Sequence, residues 1–453
     1  LEFPSRDPAT TGKTWRDSVA DGIPDVRPSP GWWPCRDYGD YLKAIERAIH
    51  AVKPDAEVSF STYNWGYADD AVRRRFLEKI LPENIGLRVP FEVFTRKRLK
   101  GLSCPVMDYT ASETEGSHYF KTECAVAHRR GIPVTVTTNT CGATWDFGTA
   151  PYVPAPYKWI ARIRALRQAC KDWTIHGFYE THHYGWEPNV VIELAKFSFR
   201  NPGEDDLEGL LDKLAVRDYG REAAPQILKA WRFWSDAMDH YVASNEDQYG
   251  PWRVGPAYPF IFHPSITRTM APKEIAFPAA ESAMFGGLIV KTFYQPYENA
   301  DQAPGPLRYP AELEALETMQ ALWTKGLEQA EQAAAQSPPG KRDAGERLAA
   351  LGLFIRNSIA TVIHIKRWWL LNIALQASGN RAGSLAILDR LDALATAEIA
   401  NAERTIPAVE RDSRLGWEPS MEYVCDRWHL EWKIRQVRSA LSEIATYRNC
   451  LNL

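Results

Sequence analysis

Residues 133–139 read PVTVTTN, a β-branched run that begins just after Gly131, where the amphipathic segment Tyr119–Arg130 stops. Helix, glycine and then a short alternating run is the punctuation of a βα unit, because glycine ends the helix and the β-branched side chains favour the extended chain that follows. The same phrase recurs on both sides. Upstream, Tyr41–Val52 reads as a helix, Glu57–Tyr63 (EVSFSTY) as a strand, Asp69–Ile80 as a helix and Phe91–Thr95 as a strand. Downstream, Tyr157–Cys170 reads as a helix and Trp173–Glu180 (WTIHGFYE) as a strand. This alternation predicts a parallel sheet covered by helices.

Four such units are half of the eight that close a barrel. Leu1–Pro34 is rich in proline and shows no alternation. Either strands not legible here precede residue 40 or the chain carries only the second half of a barrel, and the second reading is favoured; the expected fold class is α/β, a (β/α)8-type barrel with a large C-terminal α-helical domain. After residue 200 the text turns helical: Asp205–Val216 and Ala223–Val242, then Ala311–Ala335, Arg347–Ser378, Ser384–Thr405 and Glu422–Arg448, with Ser337–Ala344 as a linker. The domains expected are a barrel-type catalytic region over 1–200, a helical and loop extension packing on it over 201–305, and a C-terminal helical domain over 306–453.

Composition narrows the function. Of 453 residues, 45% are hydrophobic and 25% charged, an ordinary globular mixture, and the net charge of -3 gives no footprint for nucleic acid. The most apolar helical run, Ile355–Leu375, is interrupted by Arg356, His364, Lys366 and Arg367, so no membrane segment is expected. Seven scattered cysteines without a C-x-x-C pair fit neither a disulfide scaffold nor a zinc site, and most read as buried apolar residues. No secretory leader is read at the start, and a soluble protein of the bacterial cytoplasm or periplasm is expected. No G-x-S-x-G elbow, Walker loop or dinucleotide-binding glycine motif occurs. No cofactor and no metal are expected.

Seventeen tryptophans are the informative excess. Aromatic rings give flat apolar faces to the C–H faces of sugars, although large aromatics also fill cores. In parallel α/β folds ligands are held by the loops after the strands, so the strand ends carry the candidates. Tyr63, Asn64 and Trp65 follow the first strand; Asn139 ends the third, with Trp145 and Asp146 in its loop. Glu180, His182, His183, Tyr184 and Trp186 form the densest polar and aromatic cluster, after the fourth. Glycoside hydrolysis requires an acid and a base or nucleophile, usually two carboxyl groups. Glu180 is the first candidate and Asp108 the second, with Glu113 and Glu115 behind them. Adjacent His182 and His183 point to opposite faces of a strand, which argues against a shared metal. Two further phrases, Glu246–Arg253 and Asp412–Glu418, place Arg253 and Arg414 among carboxylates and aromatics. With Asp247, Tyr249 and Trp417 they read as contacts to an acidic sugar, or as Arg–Asp pairs pinning the helical annex.

With these residues in view, the chain resembles the second half of bacterial barrel glycosidases related to the family 20 hexosaminidases and the family 67 α-glucuronidases. The resemblance covers about residues 31–264. It rests on the order of strands and acidic loops, on a helical segment of the kind Leu207–Asp239 with Tyr219-Gly220 and Trp231, and on Asp146–Tyr152, Glu246–Arg253 and Asp412–Glu418. It implies a catalytic acid on the sixth barrel strand, matched in position by Asp108, and another on a middle strand that would precede residue 1. The adjacent Asp-Glu pair of hexosaminidases is missing from the strand ends. The expected function is an exo-acting glycoside hydrolase with a carbohydrate as its partner. Self-association, or a segment that completes the barrel, is a further expectation. A non-catalytic carbohydrate-binding protein, or a lyase or isomerase with a histidine base, are the alternatives.

Overall fold

The computed structural model describes residues 37–63, 70–106, 108–140, 142, 144–179, 188–244, 247–248, 250–262, 305–418, 422–423 and 425–452. They form two compact units that interleave along the chain. One takes the described residues within 1–95, 113–139 and 161–182, and the other those within 96–112, 140–160 and 183–453.

The first unit holds β1 (Ser59–Ser61), β2 (Gly86–Pro90), β5 (Val134–Thr137) and β6 (Ile175–Tyr179), hydrogen-bonded in that order in one sheet. Every pairing is parallel, with Phe60 opposite Leu87, Val89 opposite Val136 and Val136 opposite Phe178. Period-two alternation buries Leu87, Val89, Val134 and Val136 on one face, while the in-between residues Arg88 and Thr135 are only half-buried. The helices of this unit are α1 (Asp37–Val52), α2 (Asp70–Lys79), α3 (His118–Arg130) and the C-terminal part of α4 (Pro156–Asp172). In α3 the Ser117 hydroxyl accepts the Phe120 N–H at the start, and Gly131, left-handed at φ 67°, returns its N–H to Ala127 and His128.

The expected second strand, Phe91–Thr95, is displaced. The strand is Gly86–Pro90; Phe91 still donates to Thr137, and the chain then bends through Phe94, whose φ is 61°. Proline at the strand end offers no N–H to continue the ladder, and the apolar text beyond it misleads because it alternates like a strand. Thr95–Leu99 (β3) instead pairs with Leu102–Val106 (β4) in a separate two-stranded sheet, turned by Lys100 and Gly101, both at positive φ. The parallel sheet has four strands among the described residues, and β1 and β6 are its edges there. The mixed α/β class with a parallel sheet is present; these four strands do not close on themselves.

The second unit is dominated by helices: α5 (Val190–Arg200), α6 (Leu207–Tyr219), α7 (Ala224–Ala237), α8 (Gly305–Gln336), α9 (Arg342–Gln376), α10 (Arg381–Arg411) and α11 (Arg427–Cys450). A small pair, β7 (Trp417–Glu418) and β8 (Glu422–Tyr423), precedes α11. Its core explains much of the tryptophan excess. Trp145, Trp159, Trp231, Trp234, Trp252, Trp323, Trp368 and Trp369 are all buried. Trp234 of α7 stacks on Trp323 at 5.4 Å and donates to its carbonyl at 3.1 Å. Gly326 of α8 and Gly352 of α9 admit this indole: a Cβ at either position would stand 2.4 Å or 2.6 Å from its atoms. Helix α9 is long and apolar enough to cross a bilayer, but 78% of its apolar window is buried inside the protein, which makes it a core helix. Among the described cysteines, Cys104, Cys124 and Cys425 are buried and Cys170 and Cys450 exposed.

Candidate functional site

At the carboxyl edge of the parallel sheet the strand ends are tied together by charge. Glu92, two residues past β2, is fully buried. Its Oε1 accepts the Asn139 side-chain amide at 2.8 Å, just past β5, and faces Arg162 Nη1 at 3.4 Å. Arg162 projects from α4 and is also fully buried. It donates to the Thr138 carbonyl at 3.0 Å and to the Glu113 carbonyl at 2.8 Å, and its guanidinium lies 5.3 Å from the Phe91 ring centroid. The Thr95 hydroxyl lies 3.0 Å from the Glu113 carboxylate and 2.9 Å from the Glu92 carbonyl, and shares its one proton between these two acceptors. One guanidinium thus fixes the loops after β2 and β5 and the loop that leads to α3.

A second cluster sits at the end of β1. The Thr62 hydroxyl donates to Glu123 Oε2 at 2.8 Å, and Glu123 Oε1 accepts Arg73 Nη1 at 2.8 Å. The Tyr119 hydroxyl meets Thr62, while Arg73 lies 4.5 Å from the Tyr119 ring and also pairs with Asp70, which binds His118. Burial pushes the Glu123 carboxyl above its ordinary range despite Arg73, and pushes the Tyr119 phenol well above its own. Thr62 and the backbone that leads into Tyr63 are anchored to α2 and α3 by these bonds.

Of the residues singled out from sequence, Asn139 stands in the first cluster and Tyr63, half-buried, directly follows Thr62. Asn64, Trp65, Glu180, His182, His183, Tyr184, Trp186 and Tyr249 lie outside the described residues. Glu113, bonded to Thr95 and Arg162, and the exposed Glu115 lie in the first unit, and the remaining candidates belong to the second. Asp108 is nearly buried; its carboxylate accepts the Tyr109 N–H at 2.8 Å and its own N–H donates to Gln248 at 2.8 Å. Asp146 is fully buried, and its Oδ2 accepts the Ala111 N–H at 2.6 Å and the Thr144 hydroxyl at 2.8 Å. The fully buried Arg253 lays its guanidinium 3.3 Å from the Trp145 ring centroid. Gly148 donates to Trp252 at 3.2 Å and sits so close to Arg253 that a Cβ there would stand 2.9 Å from the Arg253 backbone. The phrases around Asp146 and Arg253 therefore meet one another in a packed interior. Asp247 is fully buried against Lys366 of α9 at 2.7 Å. Arg414 is held by Asp412 through two bonds, of 2.8 Å and 2.6 Å, and Trp417 is 42% exposed.

Sequence reasoning missed Glu92, Arg162 and the Thr62–Glu123–Arg73 group. Glu92 read as a mid-strand residue once the strand was set at 91–95. Arg162 and Glu123 lie on amphipathic helices where nothing local distinguishes a buried charge from a solvated one.

No protein-family model matches the chain, and no curated protein matches it. Among solved structures the chain is similar to a GH138 enzyme targeting pectin rhamnogalacturonan II, at 10% identity and a TM-score of 0.44, over 91% of this chain and 59% of that one. The chain spans about three fifths of that protein's length. At this identity and TM-score the likeness is too distant to carry a fold or an activity across.

Proposed function

We propose that the protein is an exo-acting glycoside hydrolase whose sugar site lies at the carboxyl edge of the parallel sheet, with Glu180, directly after β6, as the catalytic acid. The observation that carries this reading is the Glu92–Asn139–Arg162 cluster. Parallel α/β sheets bind ligands beyond the carboxyl ends of their strands. A buried ion pair is seldom worth more to stability than apolar packing, so charge kept dry at that edge fits a group that holds a site in shape. In this reading Glu92, Arg162 and the fully buried Asn139 are positioning residues, and Tyr63 with Trp65 lines the sugar. The four strands are proposed as half of a (β/α)8-type barrel. The half-buried Arg88 and Thr135 and the exposed Tyr179 support this, because parallel sheets are normally covered on both faces.

The test is turnover of a panel of aryl glycosides and oligosaccharides by the full chain. Glu180→Gln should lower kcat by about 10²- to 10⁴-fold with little change in KM, the loss expected when a general acid is removed. Asp108→Asn, assayed in parallel, tests the second carboxylate. Sugar binding without turnover of any glycoside would discard the hydrolase in favour of a carbohydrate-binding protein. A product with new ultraviolet absorbance would select the lyase.

A further inference from the structure

In the second unit, four helix ends converge on a cavity of about 550 Å³, within the ordinary size range of small-molecule sites. They are the start of α5, the end of α6, the start of α9 and the end of α10. We propose that this cavity binds a neutral saccharide, at a site separate from the strand edge and independent of the hydrolase reading.

The charge balance of the lining carries the inference. Four cations face the cavity, Arg217, Lys341, Arg347 and Arg414, against four carboxylates, Glu193, Asp218, Asp343 and Asp412. Each cation already has an acceptor. Arg217 holds Asp218 at 2.6 Å and Glu193 at 3.0 Å, Arg347 holds Asp343 at 2.8 Å, Arg414 holds Asp412 at 2.6 Å, and Lys341 donates to the Val216 carbonyl at 3.0 Å. The four cations and four carboxylates cancel, so an entering carboxylate or phosphate gains no net attraction from this lining and brings its own charge against Glu193, Asp218, Asp343 and Asp412. A hydroxyl both donates and accepts, so it can add to a guanidinium–carboxylate pair without breaking it. Vicinal sugar hydroxyls suit a wall on which donors and acceptors alternate in this way. The almost buried rings of Tyr152 and Tyr219, with Pro151, supply the apolar surface that a sugar's C–H face requires.

The experiment is isothermal titration of the full chain with glucose, galactose, mannose, xylose and N-acetylglucosamine, with glucuronate and inorganic phosphate as charged comparators. At least one neutral sugar should bind with a Kd below about 10 mM, and Arg217→Gln and Arg414→Gln should each weaken it at least about tenfold. Circular dichroism should show both arginine variants folded, since the side chains of Arg217 and Arg414 are 54% and 34% exposed. Three results would overturn the proposal: no neutral sugar binding in that range, tighter binding of a charged comparator, or binding that survives both arginine variants.

Discussion

At Asn139 the chain turns left-handed, with φ at 50°, and the side chain donates to Glu92 at 2.8 Å. Asparagine tolerates this backbone better than other residues with a side chain, and its amide supplies a hydrogen bond that glycine cannot. The two contributions separate by substitution. Asn139→Gly removes the bond to the buried carboxylate and keeps the backbone relaxed, for a loss of about 1.5–3 kcal/mol. Asn139→Ala loses the same bond and strains the backbone, so it should cost about 1 kcal/mol more. Urea unfolding of the two variants checks this, and equal losses would show that the left-handed turn contributes nothing. Asn139 was legible as a candidate because it ends a clean β-branched strand. Glu92, its partner 47 residues away, was not, because the pairing exists only once β2 and β5 lie side by side.

Helix α9 shows how an element can look like one thing in sequence and serve as another. Its composition would suit a bilayer, yet Lys366 in its C-terminal half is fully buried between Asp247 at 2.7 Å and Glu312 at 2.8 Å, and Arg308, on α8 like Glu312, binds that carboxylate at 2.6 Å. Burial opposes the charge on both Lys366 and Asp247, but mutual attraction wins: the Lys366 ammonium is held above its ordinary range and the Asp247 carboxyl below its own. Removing one member of such a pair leaves the other buried and unpaired. Lys366→Met should therefore cost about 3–5 kcal/mol, read as a lower midpoint of chemical unfolding. The double variant Lys366→Met, Asp247→Leu should recover part of that loss, and no recovery would mean that the quartet does not act as a unit. The lysine itself was visible as an interruption of an apolar run. That it pins α9 to α8 and to residue 247 was not, because Glu312 and Asp247 stand 54 and 119 residues away.

On the scale of the whole molecule, acid stability follows from which carboxyls are held low. Burial raises Asp412, Asp247 and Glu398, but Arg414, Lys366 and Lys433 with His364 outweigh it and leave all three below their ordinary ranges. A carboxyl lowered on folding contributes stability that is complete above its unfolded value, near pH 4, and is lost as pH falls through its folded value. Glu123 runs the other way: its raised value means that its contribution fades as pH climbs through the folded value. Asp412→Asn should lower the melting temperature at pH 7, and the drop should shrink as pH falls below about 4 toward the lowered folded value of the native carboxyl; a drop of the same size at every pH would exclude a charge effect. What the sequence determined by itself was the periodic and punctuated part of the fold. That comprises the alternation of helix with short strands, three of the four in place and the second read at 91–95 instead of Gly86–Pro90, and the long C-terminal helices, because hydrophobic period and capping residues act within a few positions of one another. Only the tertiary structure decided which tryptophans fill the core, which arginines are sealed inside it, and which charges gather at the strand edge and around the cavity. Those outcomes depend on burial and on partners tens of residues away, and a side chain's neighbours across the fold leave no mark on the sequence beside it.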